Sequence, residues 1–424
     1  MNKRRTGIKI FFRKIIYFIK HPYKENAVNG VKFPAFGENR FRIDLWLWSL
    51  INEIKETKLN DKLGFLHSKP HPVAVKVWRR LLPFNPNNMG SMSKRHKKYL
   101  GDTERSEQSL ISMLVDLYGG IVGKWTGYMT TGATEGNLFA VWMARNYLNS
   151  NSPGGKACLL ANSFTHYSVR KAADITGIKY IEMGVDRNRL SINPVSLENK
   201  IRSLSGMGYK AFIIPLTLGY TQTGANDDFR AISKTLSSLE KQLKIKCFVW
   251  IDAAINGLVL PFTRADFRPL RTGGISLITL DFHKTGMCPI PSGIVLYEKN
   301  FRKYVSRKVA YLDHEDDTIS GSRSGIAPTA ALAIVKHLGR IGFKKYINAS
   351  LEKKNGYIKI IKKLDPDLEI FNDKDGLSLA LICKKPLSDK MVNELGIFAK
   401  KYAYKFDRKT EELYIYKINF IPNI

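Results

Sequence analysis

A chain of 424 residues, 44% hydrophobic and 11% aromatic, carries apolar material for a large core, which excludes general disorder. Its 68 Lys and Arg against 37 Asp and Glu leave a formal net charge of +31, a field that attracts phosphorylated ligands, nucleic acid or acidic lipid. No RNA-recognition, zinc-finger or basic-zipper signature accompanies that charge, so nucleic acid is not expected as the main partner. The four cysteines, Cys158, Cys247, Cys288 and Cys383, form no C-x-x-C pair, which argues against a disulfide framework or a thiolate metal site and for a reducing cytoplasm.

The first 24 residues hold no acidic side chain. Read as a helix, they align Ile8, Phe12, Ile15 and Ile19 among Lys9, Arg13, Lys14 and Lys20. Charge interrupts the apolar runs too often for a membrane span, and no secretory h-region is present. Packing on a partner subunit is the expected role of residues 1–24; contact with an anionic membrane surface is the other reading.

Beyond residue 100 strand and helix signals alternate. Strands are predicted over 127–131, 157–161, 179–183, 211–215, 247–252, 276–280 and 293–297. Helices are predicted over 135–148, from about His166, and over 228–244. Near-continuous apolar strands separated by helices predict an α/β fold with a mostly parallel sheet covered on both faces. Such sheets bind ligands beyond the carboxyl ends of their strands, which makes the residues after each strand the candidates.

Four strand ends carry pointed chemistry. The turn Gly132-Ala133-Thr134-Glu135-Gly136 runs into a helix, so small residues, free backbone N–H groups and the Thr134 hydroxyl can meet an anion. A plain turn would look the same, and no Gly-Lys-Ser/Thr follows to make a Walker loop. Asp252 ends a very apolar strand, where a carboxylate needs a partner; it can cap a helix, pair with a cation or hold a heterocyclic nitrogen protonated. Lys284 follows another apolar strand, a costly place for a bare charge unless the amine is altered or consumed in a Schiff base. His166 is a structural histidine or a ring that lies against a planar ligand.

In their order along the chain these features resemble the group II PLP-dependent amino-acid decarboxylases, and within them the bacterial histidine decarboxylase-like branch. The matching stretches are TTGATEGNLFAVWMARNYL (130–148), SFTHYSVRKAA (163–173), LGYTQTGANDD (218–228), IDAAINGLVLPF (251–262), HKTGMCPIPSGIVLY (283–297) and DTISGSRSG (317–325). The resemblance implies PLP-dependent transferase fold type I, with a smaller C-terminal α+β domain, and pyridoxal 5′-phosphate (PLP) as cofactor. It implies an imine on Lys284, Asp252 on the pyridinium nitrogen and His166 stacked on the ring. Ala133 and Thr134 would bind phosphate with His283 nearby, and Thr217 and Ala254 would line the cofactor. Ser322 would reach phosphate from a second subunit, so a homodimer with shared sites is expected. Tyr311 is the candidate proton donor on a mobile loop, and no metal is implied.

The implied reaction is decarboxylation of an L-amino acid, histidine-like, basic or aromatic. The alternatives are a non-decarboxylating PLP reaction at Cα or Cγ and a degenerate, non-catalytic scaffold associated with membrane or nucleic acid. Residues 1–100 would form an N-terminal arm, 101–310 the large PLP domain, and 311–424 the inter-subunit phosphate loop and small domain. The chain departs from the family's pattern just before His283 and Lys284: Asp281 and Phe282 stand where Ser-Gly is usual. Asp281 is expected to oppose phosphate unless it points away or meets a cation, and Phe282 to crowd the site.

Overall fold

The computed structural model describes residues 40–57, 63, 69–90, 102–152, 154–310, 315–407 and 409–422. The expectations for residues 1–24 and for Tyr311 lie outside the described residues. The chain divides into two compact units, Met1–Lys62 and Leu63–Ile424. In the first, helix α1 (Arg40–Thr57) exposes Phe41, Trp46 and Trp48.

The second unit begins with α2 (Pro72–Leu81), a short strand β1 (Asn87–Asn88) and α3 (Asp102–Leu117). Seven strands then form the central sheet: β2 (Trp125–Thr130), β3 (Lys156–Asn162), β4 (Lys179–Met183), β5 (Tyr209–Thr217), β6 (Lys246–Asp252), β7 (Ile275–Asp281) and β8 (Gly293–Glu298). Between them run α4 (Ala133–Asn151), α5 (Tyr167–Thr176), α6 (Pro194–Gly206) and α7 (Phe229–Leu243).

The sheet order is β2-β8-β7-β6-β5-β3-β4. Strands β4, β3, β5, β6 and β7 pair in parallel, and β8 is antiparallel to both β7 and β2. The two reversals at β8 leave β2 pointing the same way as β7. The carboxyl ends of β2, β3, β5, β6 and β7 therefore share one edge. In the register, Thr217 pairs with Asp252, and Asp252 with Thr279, while Gly293 lies between Asp281 and Thr130. A Cβ on Gly293 would stand 2.5 Å from the Gly132 Cα, so only glycine lets the turn after β2 close down on this row.

Along β6 the side chains alternate between two cores, as the pleat requires. Phe248 and Trp250 face Phe139 and Ala140 of α4, whereas Val249 and Ile251 join Leu236 of α7 and Ile214 of β5. Two short strands, β9 (Arg307–Lys308) and β10 (Glu315–Asp316), pair before β11 (Arg323–Ser324), which pairs with β1. The long helix Ile326–Leu364 is broken at Gly339, whose φ of 54° lies in the left-handed region. After it, β12 (Glu369–Asn372), β13 (Ser378–Cys383), β14 (Lys401–Lys405) and β15 (Thr410–Asn419) form an antiparallel sheet in the order β12-β13-β15-β14.

A buried ion pair anchors the stretch 317–325 to the large sheet. The Arg323 guanidinium donates to both Glu107 carboxylate oxygens, at 2.6 and 3.2 Å, and Glu107 also accepts the Met129 N–H at 2.6 Å. Glu107→Ala would leave the Arg323 charge buried without its partner, and we expect a loss of about 3–5 kcal/mol. A lowered urea midpoint at unchanged slope checks this. The double replacement of Glu107 by Leu and Arg323 by Met is expected to be milder than Glu107→Ala alone, because neither charge is then stranded.

Candidate active site

The shared edge of the sheet opens into a cavity of about 300 Å³. Its wall includes Ala133 and Thr134 at the start of α4, His166 after β3, Thr217 at the end of β5, Asp252 at the end of β6 with Ala254 after it, and His283 and Lys284 after β7. Eight of the ten residues expected at the site thus meet in one place, although they are drawn from five strand ends. Ser322 does not line this cavity: it is exposed and accepts a hydrogen bond from Asn87 Nδ2 at 3.2 Å. Its loop is fixed by Asp317, which is fully buried and accepts from the Tyr297 hydroxyl and Arg302 Nε. Tyr311 is outside the described residues.

At one end of the cavity stands Asp252. Its Oδ1 accepts the Ala254 N–H at 3.1 Å and its Oδ2 accepts Asn137 Nδ2 at 2.7 Å, so both oxygens are held. His166 caps the N-terminus of α5: its Nδ1 accepts the Ser168 N–H at 3.4 Å and meets Ser168 Oγ at 2.8 Å. With Nδ1 accepting, the neutral ring carries its proton on Nε2. Burial pushes the His166 pKa down from its ordinary value, against the opposing pull of the Asp252 carboxylate.

At the other end lies the N-terminus of α4, where the free N–H groups and dipole of a helix favour an anion. Asp281 sits there. It is 3% exposed, and its Oδ1 accepts the Ala133 N–H at 2.7 Å while its Oδ2 lies 3.0 Å from Lys284 Nζ and 3.6 Å from His283 Nε2. The expected conflict at Asp281 is thus met by an N–H donor and a lysine. Phe282 does not crowd the cavity, contrary to expectation. It is fully buried in the core with Leu258, Leu280 and Met287. Successive side chains leave a strand on opposite faces, so the one beside Asp281 points inward.

The loop after β5 is shaped by Asp227. Its carboxylate accepts the N–H groups of Thr217 and Ile192 at 2.7 and 2.8 Å and the Tyr220 hydroxyl at 2.7 Å, and burial pushes its pKa up to about 6. A lysine of the C-terminal sheet feels the charge at the site. Lys417, on β15, is pushed down to about 7 by burial and then by the positive charge of Lys284. Asn137, Asp227 and Lys417 were not singled out from the sequence. For Lys417 a signal existed, a charged residue within the apolar strand Leu413-Tyr-Ile-Tyr-Lys-Ile-Asn-Phe420.

These groups fit PLP. A helix N-terminus with the Thr134 hydroxyl suits its phosphate once the Ala133 N–H is released by Asp281, a lysine amine on the cavity wall suits its aldehyde, and a carboxylate with both oxygens fixed suits its ring nitrogen. Gly132 keeps the turn narrow, since a Cβ there would approach His283 Cε1 to 3.3 Å.

Residues 110–384 match the family described as the pyridoxal-dependent decarboxylase conserved domain. The L-aspartate decarboxylase of Thermococcus kodakarensis is 31% identical over 314 residues, which cover 71% of this chain and 74% of that one. The tryptophan decarboxylase of Clostridium sporogenes is 29% identical over 301 residues, covering 70% and 71%. Among solved structures, L-methionine decarboxylase from Streptomyces sp.590 superposes with a TM-score of 0.79 over 95% of both chains at 17% identity, a likeness in fold alone. The architecture is that of fold type I. These relatives are aspartate and tryptophan decarboxylases, where the histidine decarboxylase-like branch was expected.

Proposed function

The chain belongs to the pyridoxal-dependent decarboxylases, PLP-dependent carboxy-lyases of amino acids, and from that premise we propose that its substrate is a dicarboxylic amino acid of the aspartate type. The reading is supported by Lys417, which lies on the face of β15 shared with the buried Leu413 and Ile415 and whose positive charge opposes protonation of His166. As an ammonium, Lys417 would pair with a substrate carboxylate. The name of the Thermococcus relative, L-aspartate decarboxylase, supports the same class.

When bound, PLP supplies the electron-withdrawing ring that takes up the electrons left by departing CO₂. For the residues that line the cavity, the proposed roles are consistent with their places. Lys284 would attach the cofactor through its amine. Asp252 holds a proton on the ring nitrogen. His166, neutral and fixed by Ser168, bounds the ring's face, while Ala254 and Thr217 close its edges. Ala133, Thr134 and His283 hold the phosphate end, joined in a homodimer by Ser322 of the partner subunit. Tyr311 is retained as the proton donor to carbon. Residues 101–310 would be the cofactor domain and 311–424 the phosphate loop with the small domain; of the arm proposed over 1–100, residues from Leu63 onward belong to the same compact unit as these two. Membership of the family favours neither a non-decarboxylating reaction nor a non-catalytic scaffold.

A second reading has its own support. Tyr167, Ile255 and Ile290 line the cavity and offer an aromatic side chain apolar contact, and the Clostridium relative is a tryptophan decarboxylase. CO₂ release from aspartate, glutamate, tyrosine, tryptophan and histidine separates the readings. Aspartate is expected to have the highest kcat/KM. Lys417→Ala is expected to raise KM for aspartate by roughly tenfold or more, the loss of a charge-assisted hydrogen bond. Because the ammonium is the binding form, KM for aspartate should also rise as pH increases through the Lys417 pKa. Tenfold preference for tyrosine or tryptophan would sink the acidic reading.

A further inference from the structure

We propose that Asn137 is a positioning residue that orients the Asp252 carboxylate and, through Ser168, the His166 ring, so that both groups assigned to the cofactor ring are held as one unit. This inference rests on the assignment of Asp252 to the ring nitrogen.

Asn137 lies on α4 one turn beyond Ala133, hence on the same side of the helix as the residue that begins the anion site. Trp250 and Asp252 lie two apart on β6 and so face that helix together. The Asn137 side chain is fully buried and meets all three of its neighbours at hydrogen-bond distance.

The polarity of these contacts admits one solution. An indole nitrogen only donates, so the Asn137 atom 3.0 Å from Trp250 Nε1 is the carbonyl oxygen. The two amide hydrogens then go to Asp252 Oδ2 at 2.7 Å and to Ser168 Oγ at 3.0 Å. Ser168 Oγ lies 2.8 Å from His166 Nδ1, and the Ser168 N–H directed at the same nitrogen at 3.4 Å makes Nδ1 the acceptor, so the hydroxyl donates to it. The tryptophan donor thus fixes the Asn137 amide, and the Ser168 N–H fixes the imidazole tautomer. The ring proton is left on Nε2, and the carboxylate is oriented by Asn137 on one oxygen and by the Ala254 N–H on the other. A buried network in which every member is satisfied is rigid, and one reversed donor unsettles it.

Asn137→Asp tests this because it keeps the shape and the acceptor for Trp250 but turns the donor toward Asp252 into an oxygen. A second buried carboxyl beside Asp252 repels it or takes a proton, so the melting temperature should fall. The variant should bind PLP at least tenfold more weakly, with a shifted absorbance band. Its kcat should fall by roughly 100-fold with KM changed only a few-fold, as for a catalytic group displaced from its working geometry. A variant with the wild-type band, affinity and kcat overturns the proposal. If Asn137→Asp does not fold, Ser168→Ala cuts only the arm to His166. A kcat lowered by about tenfold with the band retained upholds the proposal, and a wild-type kcat overturns it. A protein indifferent to Asp252→Ala overturns the Asp252 assignment together with this inference. An Asp252→Ala variant that fails beside a normal Asn137→Asp variant overturns this inference alone.

Discussion

Replacing Lys284 with alanine is expected to abolish the visible absorbance of PLP-loaded protein and to lower CO₂ release by at least about a thousandfold, equivalent to roughly 4 kcal/mol of barrier. The lysine is held in place by its surroundings. The next residue, Thr285, donates its hydroxyl to the Ile255 carbonyl at 3.2 Å, and Gly286 fits so closely that a Cβ would stand 2.6 Å from Phe282 Cδ1. The backbone that presents the amine is therefore pinned on both the β6 and the β7 side. Alanine also removes the cation 3.0 Å from Asp281, so a buried carboxylate at the phosphate end is left to repel the cofactor. Lys284→Arg separates the two effects. It keeps a cation for Asp281 but has no amine to attach the cofactor, so it should lose CO₂ release as fully as alanine while retaining more of the affinity for PLP. Retained CO₂ release in both variants would remove Lys284 from the reaction.

Much of this site was legible because a parallel sheet gathers its strand ends on one edge. Once the apolar runs ending at Thr131, Asp252 and Leu280 are read as strands, the residues that follow them have few other places to go. The β4 bounds, Lys179–Met183, match the reading to the residue, since Gly177 ends the helix before the strand and Gly184 follows it. The groups that act through partners were not legible. Asn137 and Asp252 are 115 residues apart, and Asp281 and Ala133 are 148 apart; nothing local in the sequence announces either contact. That is why Asp281 looked hostile to phosphate, and why Phe282, one residue on, was assigned to the wrong face. Lys417 is the intermediate case. Strand alternation puts it on the face of Leu413 and Ile415, which are buried against Phe164 and Tyr220, so its inward setting can be read from the pattern. What it approaches cannot.

Asp252→Asn is expected to reduce kcat by about a thousandfold while leaving the cofactor attached to Lys284, because it removes negative charge and alters nothing at the amine. The carboxylate has two jobs that the amide cannot do together. An anion facing the ring nitrogen keeps that nitrogen protonated, and only the protonated ring draws electrons strongly from the substrate's Cα. The second job is local. Both Asp252 oxygens accept, one from Ala254 N–H and one from Asn137 Nδ2, whereas an asparagine has a single oxygen. Whichever way the new amide turns, its NH₂ group confronts a donor, and one of the two contacts becomes repulsive. The disturbance should pass through Asn137 and Ser168 to His166. Asp252→Asn should therefore cost somewhat more activity than loss of the charge alone, and Asn137→Asp added to it should cost less than it does in the wild-type background. That non-additivity is the mark of residues acting as one unit. It is measured as the coupling between the two substitutions in kcat, and full additivity would mean that the carboxylate and the amide act separately.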